Sequence, residues 1–256
     1  MCDKASRQPI THARTYSPLL LLLPLLWEVG CAYPLKITKE PPAVAQWDSA
    51  VDWDAAGAEA VKVLSGYIQV NTFNPPGNET EGANYLAGIL KAEGIESEIH
   101  EFTPGRGSLV ARLKGSGAAG PLCLLSHIDV ATAEPEEWPE GKGPLSGAVD
   151  KEGMIWGRGA LDMKGMGALE LMTFIMLKRL RVPLKRDIVL MAVADEEAGN
   201  KGMLHMVKEH WDRLGCTHVI NEGGLGIKGA IFPGHTVVAI SVAEKGVLWL
   251  KLTMRG

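Results

Sequence analysis

Three short apolar runs, each ending abruptly in histidine or acidic residues, constrain the fold of this 256-residue chain more than any other feature. Residues 122–125 lead into Ser-His-Ile-Asp, residues 187–194 lead into Asp-Glu-Glu, and residues 217–220 lead into Asn-Glu-Gly-Gly. Apolar runs of this length are typical of buried strands. We therefore predict three strands whose last residues present polar side chains at the edge of a sheet.

Helical patterns alternate with these strands. The segments with helical spacing of apolar residues are 48–68, 79–93, 163–180 and 201–212. Alternation at residues 95–102 and 108–113 predicts two more strands. Strands that alternate with helices predict an α/β fold with a mixed, mostly parallel sheet flanked by helices. Because ligands of open α/β sheets bind beyond the carboxyl ends of strands, we expect the site there.

His127 and Asp129 project to the same side of an extended segment, because strand side chains alternate. A metal-binding imidazole usually donates its other N–H to a carboxylate, and Asp129 is placed to accept that hydrogen bond. The same residues could form an ordinary surface pair at the end of a strand. The pair alone leaves both interpretations open.

Asp162 lies in a loop bracketed by glycines, Gly-Arg-Gly-Ala-Leu-Asp-Met-Lys-Gly, that opens directly into a helix. Its position predicts a helix N-cap, which needs only one carboxylate oxygen. A carboxylate can also bridge two metal ions with both oxygens, and the nearby glycines would let the backbone approach closely. Both roles are compatible with the sequence.

Glu196 and Glu197 belong to an acidic triplet that starts at Asp195. Neighbouring carboxylates repel one another unless a cation neutralises them or solvent screens them, so the triplet is either a metal site or a solvated loop. The apolar strand before it favours the metal site, because it anchors the acids at the edge of a buried sheet. One glutamate could bind metal while the other acts as general base. Glu222 adds a further oxygen ligand of the kind that suits zinc.

Taken in order, these segments resemble the motifs of one enzyme family, the zinc exopeptidases and amidohydrolases that include carboxypeptidase G, aminoacylase-1 and succinyl-diaminopimelate desuccinylase. The matching segments are 126–130, 157–165, 195–197 and 221–223, together with Asn-Pro-Pro-Gly-Asn-Glu at 74–79. The resemblance extends from about residue 48 to residue 256. It implies the phosphorylase/hydrolase-like catalytic domain of zinc exopeptidases, and cleavage of an amide bond in a small peptide or an N-acyl amino acid.

The resemblance also implies two zinc ions, with cobalt or manganese as alternatives, and assigns their ligands by motif position. His127 and Glu222 would bind the first zinc, and Glu197 would bind the second. Asp162 would bridge the two ions.

Two further residues take roles beside these ligands. Asp129 resembles the carboxylate that orients the histidine ligand. Glu196 resembles the general base, which activates the bridging water and later protonates the leaving amine.

The N-terminal residue pattern predicts a signal peptide or lipoprotein leader (1–32), and the resemblance implies the N-terminal part of a metallohydrolase catalytic domain (45–243) and the beginning of a lid or dimerisation domain (244–256). Family members continue further, and their later residues supply a last histidine ligand and the groups that grip the substrate carboxylate. We therefore expect a truncated chain or gene fragment, with a full-length form able to form a homodimer. The alternative is a non-catalytic or incomplete fragment that acts only as a metal-binding or interaction module.

The N-terminus has the layout of a secretory signal peptide: three basic residues, an apolar run at 19–27, then small residues at 30–32. The run is too short to span a bilayer, which needs roughly 20 apolar residues. We expect a protein exported to the periplasm or the medium, or anchored by a lipid at Cys31, rather than a cytoplasmic one. Cleavage and lipidation both remain open.

Two cysteines, Cys123 and Cys216, would survive removal of the leader. Their spacing suggests neither a disulfide framework nor a zinc knuckle, and we expect two small buried apolar side chains. The net charge is −4 and no basic block is present. The footprint of a nucleic-acid-binding protein is therefore missing.

Overall fold

The computed structural model describes residues 50–230, 232–239 and 252–254. All of them belong to the compact unit that runs from Ala45 to Gly256. The predicted leader at residues 1–32 lies outside the described residues, and so does most of the predicted lid segment at 244–256. Within the described part, no helix is long and apolar enough to cross a membrane.

Among the described residues, four α-helices form where apolar residues recur at helical spacing. They are α1 (Trp53–Gln69), α2 (Glu79–Ala92), α3 (Lys164–Arg179) and α4 (Lys201–Leu214). The side chain of Asp52 caps α1 by accepting a hydrogen bond from the backbone N–H of Ala55 at 3.0 Å. Gly94 follows the end of α2 with a φ of 64°, a left-handed conformation that glycine adopts without strain.

Eleven strands are present among the described residues, and five of them form the central sheet. The strands are β1 (Phe73–Asn74), β2 (Ser97–Glu101), β3 (Gly107–Leu113), β4 (Leu122–His127), β5 (Val130–Ala131), β6 (Ala148–Val149), β7 (Ile155–Trp156), β8 (Ile188–Val193), β9 (His218–Ile220), β10 (Leu225–Lys228) and β11 (Thr236–Ala239). The order in the central sheet is β2-β3-β8-β4-β9. Strand β3 is antiparallel to both of its neighbours, whereas β8, β4 and β9 are parallel. Four of the five strands thus run in one direction, which confirms the predicted mixed α/β sheet.

The sheet buries apolar side chains on both faces, because the residues of its central strand alternate between two cores. In β8, Ile188, Leu190 and Ala192 pack in a cluster with side chains from α1, α2 and α3. Val189, Met191 and Val193 pack in a second cluster with Met206 and Leu214 of α4. All six residues of β8 are buried. Helices on both faces hold this strand, and therefore the acids that follow it, at a fixed depth.

The structure contradicts the prediction that Cys123 and Cys216 are separate apolar side chains, because the two form a disulfide. They are 93 residues apart in sequence, but β9 lies parallel to β4, and their Cα atoms are 5.8 Å apart. That separation is ordinary for a disulfide. Spacing along the chain could not reveal this pairing, since it follows from the parallel neighbours. The bond ties the start of outer strand β9 to the buried strand β4.

Candidate metal centre

Three parallel strands deliver the candidate ligands to one edge of the central sheet. His127 is the last residue of β4, Glu196 and Glu197 follow β8, and Glu222 follows β9 after one intervening residue. Because β8, β4 and β9 are neighbours that run in the same direction, their carboxyl ends meet. Asp162 reaches the same place from the loop before α3.

His127 lies at the centre of this cluster. Its side chain is almost fully buried, and its Nδ1 atom is 2.8 Å from the backbone carbonyl oxygen of Asp129. This contact fixes Nε2 as the ring atom that faces the acids. Nε2 is 3.1 Å from Oδ1 of Asp162, 3.6 Å from Oε1 of Glu222 and 4.0 Å from Oε2 of Glu196.

Asp162 does not act as a helix cap, in contrast to the simpler sequence interpretation. The N-cap residue of α3 is Met163, and no side chain caps this helix. Instead the Asp162 carboxylate, whose side chain is 66% exposed, lies against the imidazole of His127. The peptide bond between Asp162 and Met163 is cis. Because no side chain caps α3, the Asp162 carboxylate makes no capping bond, and its exposure leaves it accessible to a further partner.

Within the described residues, two groups of side chains place donor atoms within 4.8 Å of one another, and both include His127. One group is His127, Glu196 and Glu222, and the other is His127, Asp162 and Glu197. All five residues predicted as ligands or base are thus brought together. Glu196, predicted as the base, is thus itself a member of one group of possible metal ligands.

The carboxylate of Asp129 has a different set of partners from the one predicted for it. Its nearest oxygen is 3.6 Å from Nδ1 of His127, too far for a hydrogen bond. The carboxylate instead accepts the backbone N–H groups of Glu196 and Glu197, each at 3.0 Å. Asn74 donates to it at 2.8 Å. Asp129 therefore contacts the histidine through its carbonyl and the acidic turn through its carboxylate.

Burial and crowding of like charges shift the pKa values of the cluster. Burial lowers the pKa of His127, but the Asp129 carboxylate and Glu222 raise it, and the net pKa is about 9. Burial, together with neighbouring carboxylates, raises the pKa of Glu196 and of Glu222. The raised pKa of His127 thus favours a positive charge on the imidazole beside these carboxylates. An imidazole among four carboxylates that repel one another is a donor set that fits divalent cations.

Sequence reasoning assigned no role to Asn74, although it is 5% exposed and contacts both Asp129 and Asp195. It begins the segment Asn-Pro-Pro-Gly-Asn-Glu, for which only a resemblance was noted. A signal was present, because Asn74 is a polar side chain directly before two prolines. The chain places its candidate acids in similar positions, just after strands. The partners are 55 and 121 residues away, so the sequence could not identify them.

A separate groove of about 1150 Å³ lies between α2, β2, β3 and α4, and none of the candidate ligands lines it. Its lining includes His100 and His210, whose ring centroids are 4.0 Å apart. Neither histidine belongs to a group of converging donor atoms among the described residues. In the part of the chain that the structure describes, the converging donor atoms therefore lie at the edge where β4, β8 and β9 end.

Comparison with protein families matches residues 123–250 to the model described as Peptidase family M20/M25/M40. The match spans 128 of the 256 residues, which is half of the chain. It includes all six residues that sequence analysis selected for the site.

Two curated relatives extend this similarity. The chain is 33% identical over 154 residues to N-formyl-4-amino-5-aminomethyl-2-methylpyrimidine deformylase of Bacillus subtilis, covering 59% of this chain and 35% of the relative. It is 28% identical over 230 residues to the N-fatty-acyl-amino acid synthase/hydrolase of Xenopus tropicalis, covering 84% of this chain and 44% of the relative. The chain thus spans less than half the length of these relatives.

A solved structure agrees with the fold. The M20 family metallo-carboxypeptidase Sso-CP2 from Sulfolobus solfataricus superimposes with a TM-score of 0.57 at 24% identity. The superposition covers 66% of this chain and 41% of the carboxypeptidase. At this identity the likeness supports the shared α/β architecture and nothing finer.

Proposed function

The chain belongs to peptidase family M20/M25/M40, and from that membership we propose that it is a metal-dependent hydrolase of an amide bond. The observation that carries the proposal is the convergence of one buried imidazole and four carboxylates at the edge of the sheet. Each of the four carboxylates has a donor atom within 4.8 Å of the same imidazole, so they are not separate surface charges. Their joint placement is what an amide hydrolase of this kind requires.

The donor set fits two divalent ions, and we propose zinc, with cobalt or manganese able to replace it. His127, Asp162, Glu197 and Glu222 would hold them. Asp162 is suited to a bridging role, since its exposed carboxylate is not used as a helix cap. When bound, the ions supply Lewis-acid polarisation of the scissile carbonyl and lower the pKa of the attacking water.

Glu196 is the general base in this proposal. Its side chain is 41% exposed, so water and substrate can reach it, and its Oε2 atom lies within 4.0 Å of His127 Nε2. The carboxylate would accept a proton as water attacks the carbonyl carbon, and would deliver that proton to the nitrogen of the departing amine. The C–N bond breaks as the amine leaves, and a carboxylic acid and an amine are the products.

Asp129 supports Glu196 by holding the backbone on which that side chain stands. Its two carboxylate oxygens accept the N–H groups of Glu196 and Glu197 separately. Burial raises the pKa of Asp129, but His127, the Asn74 amide and the backbone N–H of Glu196 together bring it below its ordinary value. An ionised, buried carboxylate is a strong acceptor for two adjacent backbone groups.

The substrate class that we propose is a small peptide or an N-acyl amino acid. One relative is named for an N-formyl compound, and another is named for N-fatty-acyl amino acids. Both names describe an amide between an acyl group and an amine, and the family itself is one of peptidases. These names support an N-acyl amine as the substrate, but they do not select one acyl group.

A direct test measures hydrolysis of a panel of N-acyl amino acids and dipeptides by the purified protein, with zinc, cobalt or manganese added after chelation. We expect turnover of at least one class, abolished by the chelator and restored by metal. Metal binding at two equivalents without turnover of any amide would favour the alternative, a metal-binding module. Absence of both binding and turnover would overturn the proposal.

We also propose that the protein is exported. The disulfide between Cys123 and Cys216 supports this, because disulfides persist mainly in oxidising compartments outside the cytoplasm. The basic and apolar pattern of the first 32 residues supports it independently. Fractionation of cells that express the full sequence tests the proposal, and recovery of all the protein in the cytoplasm with its leader intact would refute it.

A further inference from the structure

Three carboxylates are buried beside the candidate metal centre without belonging to either group of candidate ligands. Glu79 and Asp129 are 0% exposed, and Asp195 is 3% exposed. Removing a carboxylate from water is costly unless charged or hydrogen-bonding groups replace the water. The three therefore need partners within the fold.

Arg106 is the cation that contacts two of them. Its Nε and Nη2 atoms donate to the two oxygens of Glu79 at 2.5 and 2.7 Å, and Nη2 also donates to Oδ1 of Asp195 at 2.7 Å. Nη1 donates to the carbonyl oxygen of Pro76 at 3.0 Å. A planar guanidinium can hold two carboxylates in fixed directions in this way, whereas a lysine ammonium offers no such fork.

The guanidinium is enclosed as well as paired. The side chain of Arg106 is 15% exposed, and its guanidinium carbon lies 5.4 Å from the ring centroid of Phe102. Gly77 packs against it with a φ of 84°, and a Cβ atom at that position would overlap the guanidinium. Glycine is therefore required at position 77 both by the backbone conformation and by the space that Arg106 occupies.

Asn74 connects this ion pair to the acidic turn. Its Nδ2 group donates to Oδ1 of Asp195 at 3.0 Å and to Oδ2 of Asp129 at 2.8 Å. Asp129 in turn accepts the backbone N–H groups of Glu196 and Glu197. A continuous series of hydrogen bonds thus runs from Arg106 to the two glutamates.

Asp195 sets the direction of the turn that carries those glutamates. Its φ of 68° is left-handed, a conformation that few residues other than glycine adopt. Its N–H donates to Oε1 of Glu79 at 3.1 Å, and its Oδ2 accepts the N–H of Lys201 at the start of α4. The backbone of Asp195 is therefore held by a carboxylate that Arg106 neutralises, and its side chain also accepts a hydrogen bond from Arg106 itself.

We propose that Arg106 is a positioning residue, which holds the backbone of Glu196–Glu197 in the orientation that the candidate metal centre needs, without contacting substrate. It acts through Asp195 and Asn74 on Asp129. This inference rests on the proposed function, because it treats the two glutamates as the base and a ligand of a hydrolytic site. Without the guanidinium, Asp195 would face another buried carboxylate with no cation between them.

The test uses Arg106→Met, which keeps much of the side-chain bulk and removes the charge. Arg112→Met is the matched control. Arg112 lies in β3, is similarly buried (20% against 15%), and pairs with Asp187 at 2.9 Å, away from the candidate ligands. Asn74→Ala interrupts the same network at an uncharged link, so it remains informative if the arginine variant fails to fold.

Hydrogen exchange of the Glu196 and Glu197 amides in chelator-treated protein is the first measurement. We expect exchange about tenfold faster or more in Arg106→Met and in Asn74→Ala, because the acceptor Asp129 is displaced. Arg112→Met should leave these amides at the wild-type rate. Unchanged exchange in Asn74→Ala and in any folded Arg106→Met protein would overturn the proposal.

Turnover and the cobalt absorption spectrum are the second measurement. We expect kcat to fall about 10- to 100-fold with little change in KM, the range typical of groups that orient metal ligands, and the cobalt bands to shift. Equal losses in Arg106→Met and Arg112→Met would indicate a merely structural role. Faster exchange in a protein whose wild type neither binds metal nor hydrolyses amides would leave the positioning intact and remove the proposed function. An active, metal-bound wild type with unaffected variants would support the proposed function and overturn the positioning role of Arg106.

Discussion

The carboxylate of Asp162 lies 3.1 Å from Nε2 of His127, although 35 residues separate the two in sequence. The imidazole is buried and the carboxylate is mostly exposed. One member of the pair is thus held rigidly by the sheet, and the other stands at the solvent boundary where a metal or a substrate can arrive. The first two predictions below test what this arrangement does.

Substitution of the proposed base should separate metal binding from chemistry. We expect Glu196→Gln to retain its metal content and to lose about 10²- to 10⁴-fold in kcat, the usual contribution of a general base. Elemental analysis and steady-state kinetics on the same preparation measure the two effects. Because Glu196 also lies within a group of converging donor atoms, loss of metal from this variant would reassign it as a ligand.

Removal of the central imidazole should act on metal binding first. His127 is common to both groups of candidate donor atoms, so His127→Ala is expected to lower zinc affinity more than about tenfold. Competition with a chromogenic chelator measures this affinity. His100→Ala, in β2 and outside both groups, is the control and should bind zinc as the wild type does. Equal affinity in all three proteins would exclude His127 as a ligand.

The disulfide should contribute measurably to stability. It closes a segment of 93 residues, and for loops of this length the restriction of the unfolded chain is worth roughly 2–5 kcal/mol. We expect Cys123→Ala with Cys216→Ala to lower Tm by about 5–15 °C in a scanning melt. Dithiothreitol should lower Tm of the wild type and leave the double variant unchanged. A wild-type Tm insensitive to the reductant would argue against this bond.

A buried acid on α3 should make stability depend on pH. Glu170 is 6% exposed and faces Ser126, yet neither of its oxygens makes a well-formed hydrogen bond within the described residues. Burial raises the pKa of Glu170 from the ordinary value of 4.5 to about 8. Between those values the folded protein keeps a proton that the unfolded chain releases, so this group reduces stability as pH rises through that range.

Glu170→Gln should remove that loss, because the amide is neutral at every pH. We expect the variant and the wild type to melt alike near pH 5 and the variant to be more stable by up to a few kcal/mol near pH 9. Urea unfolding at both pH values gives the difference directly. A constant difference across the range would mean that Glu170 is not the titrating group.

Much of the architecture could be predicted because its determinants are local. The apolar runs specify β4, β8 and β9, and helical spacing specifies α1 to α4, so the elements appear where the pattern places them. Parallel strands then bring their carboxyl ends together, and this is why His127 and Glu222 could be grouped before any contact was known.

The remainder depends on neighbours that no local pattern encodes. Arg106 lies between two glycines in a surface-like loop sequence, and only the folded sheet brings it to Asp195, 89 residues away. Glu79 resembles any acid in the first turn of a helix, yet it is completely buried. The disulfide was missed for the same reason, since the contact depends on strand order rather than on spacing.

The reversed direction of β3 decides which of its residues lie at the edge of the sheet that carries the candidate ligands. Leu109 of β3 pairs with Ala192 of β8, and Leu113 pairs with Ile188, so β3 begins where β8 ends. The other four strands end at that edge, whereas β3 begins there. If β3 were parallel to β8, its last residues would lie at this edge, and Arg106 would lie at the opposite edge of the sheet. Because β3 is inverted, a basic group at the start of one strand meets an acid, Asp195, that follows the end of its neighbour.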